Sequence, residues 1–394
     1  MKRCLLPLFL LLLLAACTTT TPSPSPGLAA FIDETTSAPP FDRAFWGIVV
    51  EDDDGTVLYA QNAHKLFMPA SNRKLFAAAT VANCLGFDGR LETEVWRDGE
   101  DLIVRGDGDP SLGSWRYERD GDFDVLAADL RARGIVQVRD VIADVSAFDR
   151  VTIPGGWKYG NLGSDYAAPV DALAWNENAV PVSRAVDDPA LVTATQLRDA
   201  LLFHGITVTG VPRVVVAPHE WAERIAIIPS PFVAQLLTTV LKNSQNLYAE
   251  MLFKRATDGT YPTSFATEAA FANAEAGVPA DELRFVDGCG LAPDDLVTPA
   301  AIVRMLRWMN DPARRGMWWS ILAQPANEGT LRRRVIPLAD RFRGKTGTIN
   351  GVSALSGIIA MPNGRYRYVS VIVNHHNADG ATAILDKIVE RSAQ

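Results

Sequence analysis

Residues 45–50 (FWGIVV) form a short apolar run, Asp54-Gly55 follows as a hairpin turn, and residues 56–59 (TVLY) return. That pattern predicts two paired strands. Residues 75–85 (LFAAATVANCL) are apolar on nearly every face, which predicts a buried helix. Pro69-Ala70-Ser71 opens it, with Ser71 near its first turn, and Gly86 stops it. At the far end, residues 345–348, 353–360 and 366–373 read as strands and 378–391 as a closing helix, with Pro362-Asn363-Gly364 turning between the last two strands. Two early strands and three late ones imply one antiparallel sheet, so something large is inserted between them. The expected class is α+β: a five-stranded antiparallel sheet flanked by helices, built from residues 28–86 and 224–394, with a separate lobe over 87–223. That insert carries short strand-like runs at 102–104, 136–143 and 211–216 among many Gly, Asp and Pro.

The first residues follow a different pattern. Met1-Lys2-Arg3 supplies positive charge, and residues 5–14 are almost wholly apolar. Such a run is about half the roughly 20 residues a membrane-spanning helix needs, so residues 1–16 read as a signal peptide. Leu14-Ala15-Ala16-Cys17 resembles the bacterial lipobox, in which Cys17 becomes the lipidated N-terminus; Thr18 after it points to the outer membrane of a periplasmic protein. Residues 17–27, rich in Thr, Ser and Pro, form an anchor tether. At about 3.1 Å per residue it reaches only roughly 30 Å, so the folded body is expected close to its membrane.

Composition narrows the classes. The net charge is −8, whereas a nucleic-acid binder carries a basic surplus, so no nucleic-acid partner is expected. The four cysteines, Cys4, Cys17, Cys84 and Cys289, include no C-x-x-C, which excludes a zinc ribbon or a thioredoxin-type site. No disulfide is expected between Cys84, at the far end of the buried helix, and Cys289, in a loop near the site. His219-Glu220 lacks the second histidine of a zincin, and no G-x-S-x-G marks a hydrolase elbow. His375-His376 reads as a surface turn, and residues 120–124 as a solvated acidic loop lacking the glycine and glutamate of a calcium site.

The candidate chemistry lies in three motifs in fixed order: Ser71-Asn72-Arg73-Lys74, Ser244-Gln245-Asn246 and Lys345-Thr346-Gly347. A serine hydroxyl needs a base beside it, and Lys74, three residues on along a helix, shares its face. A lysine serves as base only when neutral; burial and a nearby cation disfavour its charge, and Lys345 is placed to be that cation. Ser244 could relay a proton and Asn246 hold a substrate amide. Lys345, Thr346 and Thr348 could bind a carboxylate, and Gly347 admits close backbone approach. The backbone N–H groups of Ser71 and Thr348 could form an oxyanion hole. As a set these match the S-x-x-K, S-D-N and K-T-G signature of β-lactamases and penicillin-binding proteins.

The chain resembles the class C low-molecular-mass penicillin-binding proteins, the D-alanyl-D-alanine carboxypeptidase/endopeptidase family of penicillin-binding protein 4. The resemblance rests on Pro69 to Leu75 around the serine, on Gly106-Asp107-Gly108-Asp109-Pro110-Ser111-Leu112, and on Tyr166-Ala167-Ala168-Pro169 with Asn176-Glu177-Asn178. It continues through Asn243 to Glu250, Glu328-Gly329-Thr330-Leu331 and Gly344 to Thr348. It implies the serine β-lactamase/DD-peptidase-like transpeptidase fold and a penicillin-sensitive serine DD-carboxypeptidase/endopeptidase. Its expected partners are peptidoglycan stem peptides, with β-lactams as covalent inhibitors; no metal or organic cofactor is implied. Two departures stand out. Gln245 replaces the usual Asp of the second motif, at a position the resemblance places pointing away from the site. Cys289 replaces the serine of a D-G-S-G-L segment, which keeps size, weakens hydrogen bonding, and bears on substrate preference or thiol sensitivity. Two rivals are a β-lactamase or esterase on the same fold and a non-catalytic cell-wall binding protein.

Overall fold

A computed structural model describes residues 27–180, 183–216 and 223–394. The signal peptide, Cys17, nearly all of the tether and His219-Glu220 lie outside the described residues. Among the described residues no helix is long and apolar enough to cross a membrane.

The first sheet contains β1 (Phe45–Asp52) and β2 (Val57–Gln61). The second contains β3 (Glu92–Asp98), β4 (Asp101–Arg105), β5 (Val141–Asp144), β6 (Pro212–Val215) and β7 (Glu223–Pro229). The chain then returns to the first sheet with β8 (Phe342–Ile349), β9 (Val352–Ala360) and β10 (Tyr366–Asn374). The first sheet runs in the order β8-β9-β10-β1-β2, antiparallel throughout, with Phe45 opposite Asn374 and Asp52 opposite Arg367. The ends of the chain thus meet in one sheet, as the split apolar pattern predicts.

Apolar runs rather than clean alternation mark these strands because both faces are covered. Ile48 and Val50 pack with Val369 and Val371 under the first helix, α1 (Leu28–Ser37), and the last, Ala381–Arg391. Val49, Ala354, Ile358 and Ile372 face the opposite layer, which contains α2 (Lys74–Leu85). Leu75, Phe76 and Ala79 of α2 are fully buried there. Complete burial of a side chain such as Leu75 contributes about 1.5–3 kcal/mol.

The second sheet runs β6-β5-β4-β3-β7, with parallel pairs on one side and antiparallel pairs on the other. It takes in β7, up to Pro229, so the lobe runs past the 223/224 boundary drawn from sequence. The run expected over 136–143 is broken: only Gln137–Val138 and Val141–Asp144 are strands, separated by Arg139 and Asp140. Both of those side chains are engaged in ion pairs, with Asp101 and Arg213. The acidic stretch 120–124 is not simply a solvated loop. Asp122 begins a helix, Asp122–Ala132, where acidic groups suit the N-terminal dipole. Of the His375-His376 pair expected at a surface turn, His375 is exposed, whereas His376 is half-buried, with its Nε2 3.2 Å from Ser353 Oγ.

The lobe is not independent of the rest. Its core includes Leu247 and Met251, which lie on the helix Asn246–Arg255. The helix that begins with Asn246 is therefore packed against the inserted lobe.

Candidate active site

Ser71 does not sit on the α-helix itself. It lies in a tight 3-10 turn, Ala70–Arg73, that runs directly into Lys74 and α2. The turn is entered through Ala70 at φ +47°. Two glycines let other backbone segments close on it. A Cβ on Gly347 would fall 2.7 Å from the Pro69 carbonyl oxygen and 3.1 Å from the Ser71 nitrogen. A Cβ on Gly290 would fall 2.0 Å from the Ala70 carbonyl oxygen. The serine turn is thus held between strand β8 and the 287–291 loop, at separations no side chain would permit.

All three motifs converge. Lys74 is fully buried, and its Nζ donates to Ser71 Oγ at 2.9 Å, Asn246 Oδ1 at 2.7 Å and the Cys289 carbonyl at 2.6 Å. Burial pulls its pKa below the ordinary lysine value, and the Arg73 cation adds to this. Asn246 Nδ2 in turn donates to the Tyr166 carbonyl at 2.7 Å. Lys345, also fully buried, donates from Nζ to Ser244 Oγ at 2.9 Å and to the Thr346 carbonyl at 2.8 Å. Its pKa lies well below the usual range, first through burial and then through repulsion by Lys74. Lys74 thus disfavours the charge of Lys345, whereas the cation that acts against Lys74 is Arg73 and not the Lys345 expected from the sequence. Thr346 Oγ1 donates to Thr330 Oγ1 at 2.8 Å, which joins the E-G-T-L segment to the third motif. Ser71, Tyr166, Ser244, Asn246 and Thr348 line one cleft of about 470 Å³, with Lys158 and Asn161 at its lobe side.

Several residues behind the lysine were invisible as chemistry in the sequence. Asp287 accepts the backbone N–H groups of Cys289, Gly290, Leu291 and Ala292 and the indole N–H of Trp157. Against the upward push of burial, the neighbouring Asp295, the Gly290 and Ala292 N–H groups and the Arg73 charge hold its carboxyl below the ordinary range. Asp295, buried beside it, has its carboxyl pushed well up, first by burial and then by the Asp287 charge. Glu250 accepts the Gly288 N–H on both oxygens at 2.9 Å and the Tyr261 hydroxyl at 2.9 Å. Together these clamp the loop whose Cys289 carbonyl touches Lys74. Glu250, Asp287 and Cys289 could group around a metal ion, but N–H and O–H donors occupy the carboxylate oxygens from most sides, so the donor set suits a hydrogen-bonded clamp better. The Cys289 thiol is fully buried and its pKa is raised by burial, which makes it an inert side chain. Its contribution here is its carbonyl. Cys84 is exposed, and neither cysteine is bonded.

Gln245 has two partners. Its Oε1 accepts the Leu247 N–H at 2.9 Å and caps the helix that begins at Asn246, while its Nε2 donates to Glu177 Oε2 at 2.9 Å. An aspartate would cap equally well, but it could not donate to Glu177 and would set two carboxylates together. The departure from Asp at this position thus has a local cause.

The model of the D-Ala-D-Ala carboxypeptidase 3 (S13) family matches residues 28–184 and 173–394. The chain belongs to this family. Among similar proteins is a D-alanyl-D-alanine carboxypeptidase of Actinomadura sp. (strain R39), 28% identical over 92% of this chain and 84% of that protein. Another is carboxypeptidase DacB of Mycolicibacterium smegmatis, 27% identical over 86% of this chain and 78% of that one. Among solved structures, penicillin-binding protein 4 of Haemophilus influenzae superposes with a TM-score of 0.82 at 19% identity, covering 91% of this chain and 97% of that one. The likeness in fold is therefore near complete. This family member is a serine-type D-Ala-D-Ala carboxypeptidase, and it works outside the cytoplasm.

Proposed function

We propose that Ser71 is the nucleophile and Lys74 its general base in cleavage of the D-Ala–D-Ala or D-Ala cross-link amide. The observation that carries this reading is the 2.9 Å contact between a fully buried, charge-disfavoured lysine and the serine hydroxyl. Ser71 Oγ forms a bond to the carbonyl carbon while its proton passes to Lys74 Nζ. The backbone N–H groups of Ser71 and Thr348 receive the developing oxyanion. The amide C–N bond then breaks, and the leaving amine takes a proton through Lys74 and Ser244. Water then attacks the ester carbonyl as Lys74 takes one of its protons, the ester C–O bond breaks to release the acid, and Lys74 passes that proton to Ser71 Oγ.

Asn246, held by Lys74 and Tyr166, orients the substrate amide. Lys345, Thr346 and Thr348 bind the leaving residue's carboxylate; its arrival favours a charged Lys345. Gly347 keeps that strand close to the serine. No metal or organic cofactor enters the reaction.

A β-lactam mimics the substrate end, and its ring keeps the leaving group tethered, so the acyl-enzyme persists. Sustained turnover of nitrocefin, in place of a single stoichiometric burst, would assign the chain to the β-lactamases. The β-lactam complex of the Haemophilus protein supports this reading. Lipidation at Cys17 would hold the enzyme at the periplasmic face of the outer membrane. Labelled palmitate should enter the wild type and not Cys17→Ala; no label in either would mean a soluble form.

The clamp behind Lys74 makes a pH prediction. Burial and Asp287 push the Glu250 carboxyl up to about 7, and above that pH its negative charge raises the Lys74 pKa. Acylation needs neutral Lys74, so the rate falls as pH drops through the Lys74 pKa. Glu250→Gln removes the charge, lowers that pKa, and should move the acidic limb of the acylation profile to lower pH. A limb that moved to higher pH would contradict the electrostatic account.

A further inference from the structure

Tyr166, Ser244 and Asn246 form a wall shared by two clefts. One contains Ser71. The other, about 480 Å³, lies on the far side of Ser244, toward Trp115, Arg116 and Glu177 of the lobe. Lys345 stands at the join, its Nζ 2.9 Å from Ser244 Oγ.

The back of the second cleft is built at a cost in backbone strain. Asn176, Glu177 and Asn178 have φ of +48°, +60° and +52° in succession, a conformation that non-glycine residues adopt rarely. Strain of this kind collects at ligand clamps. The run is pinned by Asn178 Nδ2 donating to the Pro169 carbonyl at 2.9 Å. It delivers the Glu177 carboxylate to Ser114 Oγ at 2.9 Å, Arg116 Nε at 2.6 Å and Gln245 Nε2 at 2.9 Å. Arg116 is thereby fixed through one nitrogen, while its terminal nitrogens make no hydrogen bond to the described residues. Its guanidinium lies 4.7 Å from the centre of the Trp115 ring, and Trp115 is 64% exposed. A pinned cation with open donors beside an exposed indole suits a carboxylate on an extended peptide.

In the Ser71 reading above, Ser244 delivers the proton to the leaving amine. The acyl half would therefore lie on the Ser71 side of Ser244, and the part of the leaving half beyond its carboxylate on the side of the second cleft. Free D-Ala ends in a methyl and a carboxylate and needs no further room. In a cross-link, the leaving amine sits on a D-centre whose side chain continues into a second stem peptide. We propose that the cleft beyond Ser244 is the leaving-group subsite for that second stem peptide, with Arg116 binding one of its carboxylates. This rests on the Ser71 reading above and adds a substrate preference to it.

The test uses the full chain, wild type and two variants. Arg116→Ala removes the cation. Val180→Trp adds bulk at the exposed edge of the same cleft and leaves the Glu177 network intact. Release of D-Ala from a pentapeptide monomer and cleavage of a D-Ala cross-linked dimer are followed by chromatography with mass detection. The ratio of kcat/KM for dimer over monomer should fall about tenfold or more in each variant, the scale of a lost hydrogen bond to a charged group. A ratio unchanged in Val180→Trp overturns the subsite, as does a wild type that releases D-Ala but leaves the dimer whole; both leave the Ser71 reading standing. A wild type that cleaves neither substrate and takes no penicillin label overturns that reading, and the subsite with it.

Discussion

Lys74→Ala should slow acylation by a β-lactam by about 10²–10⁴-fold, the range for loss of a general base. The lysine has no evident substitute. Its Nζ fills the space between Ser71, Asn246 and the Cys289 carbonyl. The other nearby amine, Lys345, is turned to Ser244 and Thr346. Removing Nζ also frees Asn246 Oδ1, so the amide that orients the substrate loses one of its two restraints. Stopped-flow quenching of intrinsic fluorescence during acylation measures the rate; a decrease of less than fivefold would mean that another group takes the serine proton.

Glu268→Ala should cost about 3–5 kcal/mol of stability, the range for stripping one partner from a buried ion pair. Arg73 Nη1 lies 2.5 Å from Glu268 Oε1 with both side chains inaccessible to solvent. The guanidinium is packed 4.0 Å from the centre of the Phe285 ring and 4.9 Å from that of Phe253. It cannot shed its charge, so the variant leaves the Nη1 end of a buried cation unpaired among aromatic rings. Burial lifts the Glu268 carboxyl to about 7 in spite of Arg73, and the pair is fully charged only above that pH. Denaturation by urea at pH 8 is therefore the condition of choice. The loss should extend to activity, because Arg73 Nε also donates to the Asp287 carbonyl at 2.7 Å and helps to hold the loop behind Lys74. A destabilisation below 1 kcal/mol would show that the cavity admits water to Arg73.

The sheet and the three motifs were legible in the sequence because each rests on local pattern. Strand-length apolar runs with a turn between them identify β1, β2 and the last three strands. The closeness of Ser71 and Lys74 followed from their spacing, since three residues bring them together in a 3-10 turn as well as in an α-helix, but only the ordered set of three motifs marked the pair as a candidate site. What could not be read depends on long-range approach. Cys289 acts through its backbone carbonyl, which no side-chain motif reports. Glu250 and Asp287 act through N–H groups of a distant loop, and Gln245 makes sense only once Glu177 of the lobe is beside it. The lobe boundary was misplaced because the apolar run 225–228 (IAII) that makes β7 does not say which sheet it joins; its pairing with β3 is a long-range contact. Helix α1 was not anticipated either. Only Ile32 and Thr36 of its residues are buried, too few to stand out beside the tether.

The most direct test of the account is the mass of the protein after exposure to benzylpenicillin, followed by peptide mapping. The wild type should gain one penicilloyl group on the peptide that carries Ser71, stable over minutes, and Ser71→Ala should gain none. An adduct that survives in Ser71→Ala, or that maps to Ser244, would contradict the assignment of the nucleophile.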